Sequence, residues 1–136
     1  MFRKGLSSLI SDWKEIEICL EASSGIELLE KLNKTPVDVV LLDLQMPIMS
    51  GLETCEILRK KYPDLKILIL TFLVSPSEIL KALKMGANGY FTKDSQPYEL
   101  RNAISKLNDG GFYFNKSLED IVNNLILKIS GKSRIS

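Results

Sequence analysis

The sequence predicts an α/β domain with a doubly wound parallel sheet. Three short apolar segments, residues 37–42, 66–71 and 89–92, have the composition of buried strands. Amphipathic segments that begin with helix caps lie before the first of these segments and between them, and a further helical segment follows the last one. Strands that alternate with helices in this way form a parallel sheet with crossover helices on its faces.

The predicted helices have recognisable beginnings and ends. Three of them begin with a capping box, in which a serine lies three residues before a glutamate: Ser24–Glu27, Ser50–Glu53 and Ser75–Glu78. In the first, Ile26, Leu29 and Leu32 are predicted to continue the helix. The second ends before Tyr62-Pro63, and Gly86 stops the third. A fourth helix is predicted from about Pro97 to Leu107, ended by Gly110-Gly111.

Three more segments complete the predicted order of elements. Residues 2–13 have apolar side chains about one helical turn apart, and residues 15–21 alternate like a strand. Residues 117–129 are predicted to form a last amphipathic helix before a polar tail. With 136 residues and no linker or repeat, the chain is predicted to be a single domain.

Composition excludes several classes of function. The chain has no histidine, which excludes His-based hydrolytic triads and makes most zinc sites implausible. A net charge of +1 gives no field that favours nucleic acid or membranes. No segment resembles a membrane span or an export signal, so we expect a cytoplasmic protein in which Cys19 and Cys55 are reduced thiols.

Polar residues follow three of the predicted strands. Asp43, Thr71 and Lys93 each come at the end of an apolar strand segment. Parallel strands end at one edge of their sheet, which is where ligands bind in such folds. A carboxylate, a hydroxyl and an ammonium group at one edge suit phosphoryl transfer. Asp43 would be the nucleophile, and the other two would hold the transferred oxygens.

Several separated motifs resemble the receiver domains of bacterial response regulators. They are Leu41–Pro47, Ser50–Glu53, Thr71, Gly86–Tyr90 and Lys93-Asp94. The residues of these motifs are most similar to those in receivers of the NarL/LuxR-like subfamily, in which a DNA-binding domain follows the receiver. The resemblance implies the flavodoxin-like receiver fold over residues 1–127, followed by a polar tail over 128–136.

The resemblance also implies roles for individual residues. Asp43 accepts a phosphoryl group from a sensor histidine kinase, Lys93 binds the phosphate, and Thr71 is the switch hydroxyl. Tyr90 is the aromatic switch by resemblance, or a sheet aromatic without that role by its pattern alone. Mg²⁺ is the family's cofactor, and Asp43 and the backbone carbonyl of Gln45 are its expected ligands here. The chain is then a signalling switch in transcription regulation and not an enzyme beyond its own phosphorylation and dephosphorylation.

One part of the family pattern has no counterpart in this sequence. Receivers begin with a central strand that ends in an acidic pair, whereas Met1–Leu6 aligns with the first helix after it. Burying such a strand is worth on the order of 10 kcal/mol, comparable to the stability of a small domain. We therefore expect poor Mg²⁺ binding. The chain is a truncated receiver, a degenerate one that acts as a phosphorylation-independent interaction module, or one in which another segment fills the gap.

Other functions fit the sequence less well. Phosphatases with an aspartate nucleophile require a second acidic residue two positions after the nucleophile. Two positions after Asp43 this chain has Gln45. No helix-turn-helix fits after residue 117, so DNA binding is expected only through a further domain. A homodimer is a further expectation, since an unpaired central strand invites pairing.

Overall fold

Four parallel strands form one sheet in the part of the chain that the structure describes. This computed structural model describes residues 10, 13–14, 22, 24–43, 51–71, 75–92 and 95–114. The strands are β1 (Val39–Asp43), β2 (Lys66–Thr71), β3 (Gly89–Thr92) and β4 (Tyr113–Phe114). They lie side by side in chain order, and every neighbouring pair is parallel.

Four helices alternate with these strands. They are α1 (Gly25–Leu32), α2 (Gly51–Lys61), α3 (Pro76–Lys84) and α4 (Pro97–Asn108). Each strand from β1 to β3 is followed by a helix and then by the next parallel strand. The prediction of a parallel α/β fold is confirmed.

The capping residues act as the sequence predicts wherever they are described. Ser24 Oγ accepts a hydrogen bond from the Glu27 N–H at 3.2 Å, and Ser75 Oγ accepts one from the Glu78 N–H at 3.2 Å. Gly86 follows α3 with a φ of +101°, a left-handed conformation that favours glycine. These caps satisfy backbone groups that would otherwise lack partners at helix ends. Ser50 lies outside the described residues.

The hydrophobic residues form one core on each face of the sheet. The first core lies under α1, α2 and α3; its strand residues are Val40, Leu42, Ile67, Ile69 and Tyr90. The second lies under α4; its strand residues are Leu68, Leu70 and Phe91, and Ile10 also joins it. Because both faces are covered, polar strand residues are confined to the strand ends.

One detail of the predicted elements is wrong, and the buried face of α1 adds another that the sequence pattern leaves open. The first strand begins at Val39 instead of Val37, because its pairing with β2 begins where the Lys66 N–H donates to the carbonyl of Asp38. In α1, Ile26 is 44% exposed, while Leu28 and Leu32 are buried. Residues four apart lie on the same side of a helix, so Leu28 and Leu32 form the inward face.

Other predicted elements lie largely outside the described residues. Of residues 2–13, only Ile10 and Trp13 are described, and Ile10 is helical and buried. The predicted strand 15–21, the predicted helix 117–129 and Cys19 are not described. Cys55 is a buried free thiol, and burial raises its pKa to about 11. No helix in the described ranges is long and apolar enough to cross a membrane.

Arg59, near the end of α2, fastens that helix to the loop between α3 and β3. Its guanidinium donates to the carbonyl of Gly86 at 2.8 and 3.0 Å, and to that of Pro63 at 2.7 Å. It also donates to Asn88 Oδ1 at 2.7 Å, and the same oxygen accepts from the Ile67 N–H at 2.9 Å. The side chains of Arg59 and Asn88 together therefore link α2, the loop and the start of β2.

Gly86→Ala tests this arrangement. A Cβ at Gly86 would lie 2.6 Å from Cγ of Arg59, whereas one at Gly110, which has a similar positive φ of +94°, would contact nothing within 4 Å. We expect Gly110→Ala to lower the free energy of unfolding by about 1–2 kcal/mol through backbone strain. Gly86→Ala should lower the free energy of unfolding by about 1–3 kcal/mol more than Gly110→Ala does, because the new methyl group displaces the Arg59 side chain. Urea denaturation measures both, and equal losses would contradict the packing of Arg59 against Gly86.

Candidate functional site

Asp43 and Thr71 lie at the same edge of the sheet, as the sequence predicts. Asp43 ends β1 and aligns with Leu70 in β2, so it is one residue out of step with Thr71. Thr71 ends β2 and aligns with Thr92, the last residue of β3. Asp43 is half-buried, whereas the side chain of Thr71 is 0% exposed. The edge therefore carries a carboxylate with some access to solvent beside a buried hydroxyl.

Tyr90 is hydrogen-bonded to Thr71 across neighbouring strands. Its side chain is 1% exposed and belongs to the first core. The pKa of Tyr90 is raised to about 12, chiefly by burial and to a smaller extent by the Glu78 carboxylate, while the hydrogen bond with Thr71 acts in the opposite direction. The two hydroxyls thus form a buried polar pair whose partners come from β2 and β3.

Glu78 is the charged residue that acts on this pair. It lies in the first turn of α3, where its backbone N–H is held by the Ser75 cap. Its carboxylate also lies 3.6 Å from the ammonium of Lys81, one turn further on. Glu78, at the start of α3, is therefore close enough to Tyr90 for its negative charge to raise the pKa of the phenol.

Two hydroxyls near the end of β3 were missed by the sequence interpretation. The side chains of Thr92 and Ser95 are joined at 2.7 Å, and the Ser95 N–H donates to the carbonyl of Thr92 at 3.1 Å. They flank Lys93-Asp94, which lie outside the described residues. Only the spacing of Thr92 and Ser95 around Lys93 could have suggested them, and hydroxyls at such spacing are too common to be specific.

The described residues supply only part of a magnesium site. Asp43 is an oxygen ligand of the type that Mg²⁺ prefers. No group of three or more acidic, cysteine or histidine side chains in the described ranges is placed to hold a metal ion. Gln45, the other expected ligand, lies outside those ranges. The described set therefore does not by itself fit an Mg²⁺ ion.

Comparison with known proteins decides the family. The sequence model of the response regulator receiver domain matches residues 1–105. The chain belongs to the response regulator receiver family. NarL, a nitrate/nitrite response regulator of Escherichia coli K12, is 34% identical over 90% of this chain and 56% of its own length. The transcriptional regulator LnrK of Bacillus subtilis is 33% identical over 80% and 50%. This receiver chain thus spans about half the length of such relatives.

Solved structures agree with this assignment. A LuxR-family response regulator from Aurantimonas superposes with a TM-score of 0.85 at 29% identity, covering 92% of this receiver and 89% of that chain. The receiver domain of a NarL regulator from Mycobacterium tuberculosis gives 0.76 at 29% identity, covering 80% and 88%. The predicted receiver fold and its NarL/LuxR-like character are confirmed. Receiver domains generally bind Mg²⁺ at their phosphorylation site. The roles of Asp43, Thr71, Tyr90, Lys93 and Gln45 remain predictions, as do the domain limits 1–127 and 128–136.

The raised pKa of Tyr90 predicts a loss of stability in alkali. The folded chain keeps this phenol protonated to about pH 12, while the unfolded chain releases the proton near its ordinary pKa of 10.0. The free energy of unfolding should therefore fall from about pH 10 to 12, with a slope of up to about 1.4 kcal/mol per pH unit from this group.

Tyr90→Phe isolates that contribution. Urea denaturation at a series of pH values should give the variant a shallower fall above pH 10 than the unaltered chain. Tyr98→Phe, the same change at a residue that is 64% exposed, is the control and should follow the unaltered chain. Parallel curves for Tyr90→Phe and the unaltered chain would contradict the buried environment of Tyr90.

Proposed function

We propose that this receiver accepts a phosphoryl group on Asp43 from a sensor histidine kinase and converts it into a change at the surface of α3, β3 and β4. The observation that carries the proposal is the buried hydrogen bond between Thr71 and Tyr90 at the strand edge that ends in Asp43. The same proposal includes an output in transcription regulation, because relatives such as LnrK are transcriptional regulators of which this receiver spans about half the length.

The reaction requires one nucleophile. A carboxylate oxygen of Asp43 attacks the phosphorus of the phosphohistidine; a P–O bond forms, the P–N bond breaks, and the imidazole leaves with a proton. Half-burial suits Asp43 to this role, because the donor must reach it. Lys93 is proposed to neutralise the phosphoryl oxygens, and Mg²⁺ to supply further charge neutralisation when bound. The chain's own chemistry is limited to gaining and losing this group.

Thr71 can relay the phosphorylation because of its hydrogen-bonding capacity. A threonine hydroxyl has one donor and two acceptor sites. It can accept from the Tyr90 phenol while donating to a phosphoryl oxygen on Asp43, and hydrogen bonds in such a chain strengthen one another. Phosphorylation therefore favours the state in which Tyr90 is turned in to Thr71.

The surface that changes follows from the position of Tyr90. The phenol lies within the electrostatic reach of Glu78 on α3, and its strand pairs with β4. A ring that moves between a buried and an exposed position alters packing under α3 and along the outer strand. A partner that contacts this surface would bind the two states with different affinity. Recognition by a kinase and formation of a homodimer remain predictions.

Asp43→Asn tests the acceptor. Because the chain is expected to bind Mg²⁺ poorly, prolonged incubation with excess magnesium and acetyl phosphate is used; intact mass spectrometry should then show one added phosphoryl group on the unaltered chain and none on Asp43→Asn. Asp38→Asn is the matched control: it removes a carboxylate just before β1, at the end opposite Asp43, and should be phosphorylated normally. If the unaltered chain gains no mass, the phosphorylation-independent interaction module is favoured instead. If Asp43→Asn still gains a phosphoryl group, a residue other than Asp43 is the acceptor.

A further inference from the structure

The two-residue strand β4 places its side chains on opposite faces of the sheet. Phe114 aligns with Tyr90 and packs against the first core, to which Tyr90 belongs. Tyr113 aligns with Gly89 and packs against the second core, with its ring centre 6.3 Å from that of Phe91. Both aromatic residues are half-buried. The adjacent residues Tyr113 and Phe114 of β4 therefore pack against different cores, on opposite faces of the sheet.

β3 lies between β2 and β4, so the surroundings of Tyr90 differ on its two sides. On the side of β2, the phenol is hydrogen-bonded to Thr71. On the other side, the neighbour in register is Phe114. A Tyr90 ring that leaves Thr71 has to turn away from β2, toward the space beside β4. The bulk of Phe114 lies on that side and opposes such a turn.

We propose that Phe114 is the positioning residue of the switch: it packs on the side of β3 opposite Thr71 and holds Tyr90 in the hydrogen-bonded state. This inference rests on the proposed function of Thr71 and Tyr90 as a switch. Its consequence is that the pairing of β4 with β3 and the state of Tyr90 depend on each other. By linkage, whatever loosens β4 releases Tyr90, and whatever releases Tyr90 loosens β4 by the same factor.

Fluorine NMR of the chain labelled with fluorotyrosine reports the state of Tyr90 directly. The chain has four tyrosines, so the Tyr90 signal is assigned by its loss in Tyr90→Phe. Thr71→Val, which removes the hydroxyl partner, provides the reference signal for released Tyr90. Phe114→Ala should move the Tyr90 signal toward that reference, with a roughly tenfold rise in the released fraction. Phe114→Leu should move it in the same direction by less.

Tyr113→Ala is the matched control, because it truncates the other aromatic residue of β4 on the opposite face. Because it also loosens β4 to some extent, it should move the Tyr90 signal by much less than Phe114→Ala does. The inference is overturned if Phe114→Ala leaves the signal where it is in the unaltered chain, or if Tyr113→Ala moves it equally. Should Phe114→Ala fail to fold, Phe114→Leu decides by the same criteria.

Hydrogen exchange tests the reciprocal effect. The Tyr113 N–H donates to the carbonyl of Asn88 at 3.1 Å, so its protection reports the pairing of β4. Thr71→Val should speed its exchange, while an unchanged rate would contradict the coupling of Tyr90 to β4.

A final comparison separates this inference from the proposed function. Beryllofluoride with magnesium, which imitates an aspartyl phosphate, is added to the unaltered chain. If the Tyr90 signal responds to Phe114→Ala but not to beryllofluoride, the phosphate response fails and the positioning role stands. If it responds to beryllofluoride but not to Phe114→Ala, the positioning role fails and the phosphate response stands.

Discussion

The parallel register of β1, β2 and β3 is the constraint on which the site depends. It brings the ends of three strands to one edge, so that Asp43 and Thr71 lie one register step apart and Thr92 lies beside Thr71. The two cores cover both faces of the same strands and leave little room for polar groups between them. Buried polarity on the strands is therefore concentrated at this edge, where hydroxyls can satisfy one another.

The two edges of the sheet are built differently. At the edge where β3 begins, Arg59 and Asn88 tie α2, the α3–β3 loop and β2 together with short hydrogen bonds to fixed backbone groups. At the functional edge, a pair of side-chain hydroxyls, Thr71 and Tyr90, links β2 and β3 in addition to the backbone pairing of the two strands. A side-chain hydrogen bond is worth only about 1 kcal/mol net, so a phosphoryl group can compete for or reinforce it. This difference suits the second edge to switching and the first to anchoring.

Much of this arrangement could be predicted from the sequence, because its determinants are local. The serine caps and the apolar strand segments specify the helices and strands, and the order of elements specifies a parallel sheet. The inward face of α1 could not be predicted because Ile26, Leu28, Leu29 and Leu32 are all apolar, and only packing against the sheet distinguishes them. The hydrogen bonds made by Arg59 join residues that are far apart in sequence, so no local sequence pattern predicts them. The strand at Tyr113 and Phe114 was not predicted, because two residues are too few to show an alternating pattern.

The central claim is that occupancy of Asp43 is communicated through Thr71 to Tyr90 and β3. Amide chemical shifts of the nitrogen-labelled chain, recorded with and without beryllofluoride and magnesium, test it most directly. We expect changes at Asp43 and Thr71 that continue through Tyr90 to Phe114, while the amide signals of Arg59 and Asn88 stay unchanged. Changes that stop at Asp43 and its immediate neighbours, with none at Tyr90, would contradict it.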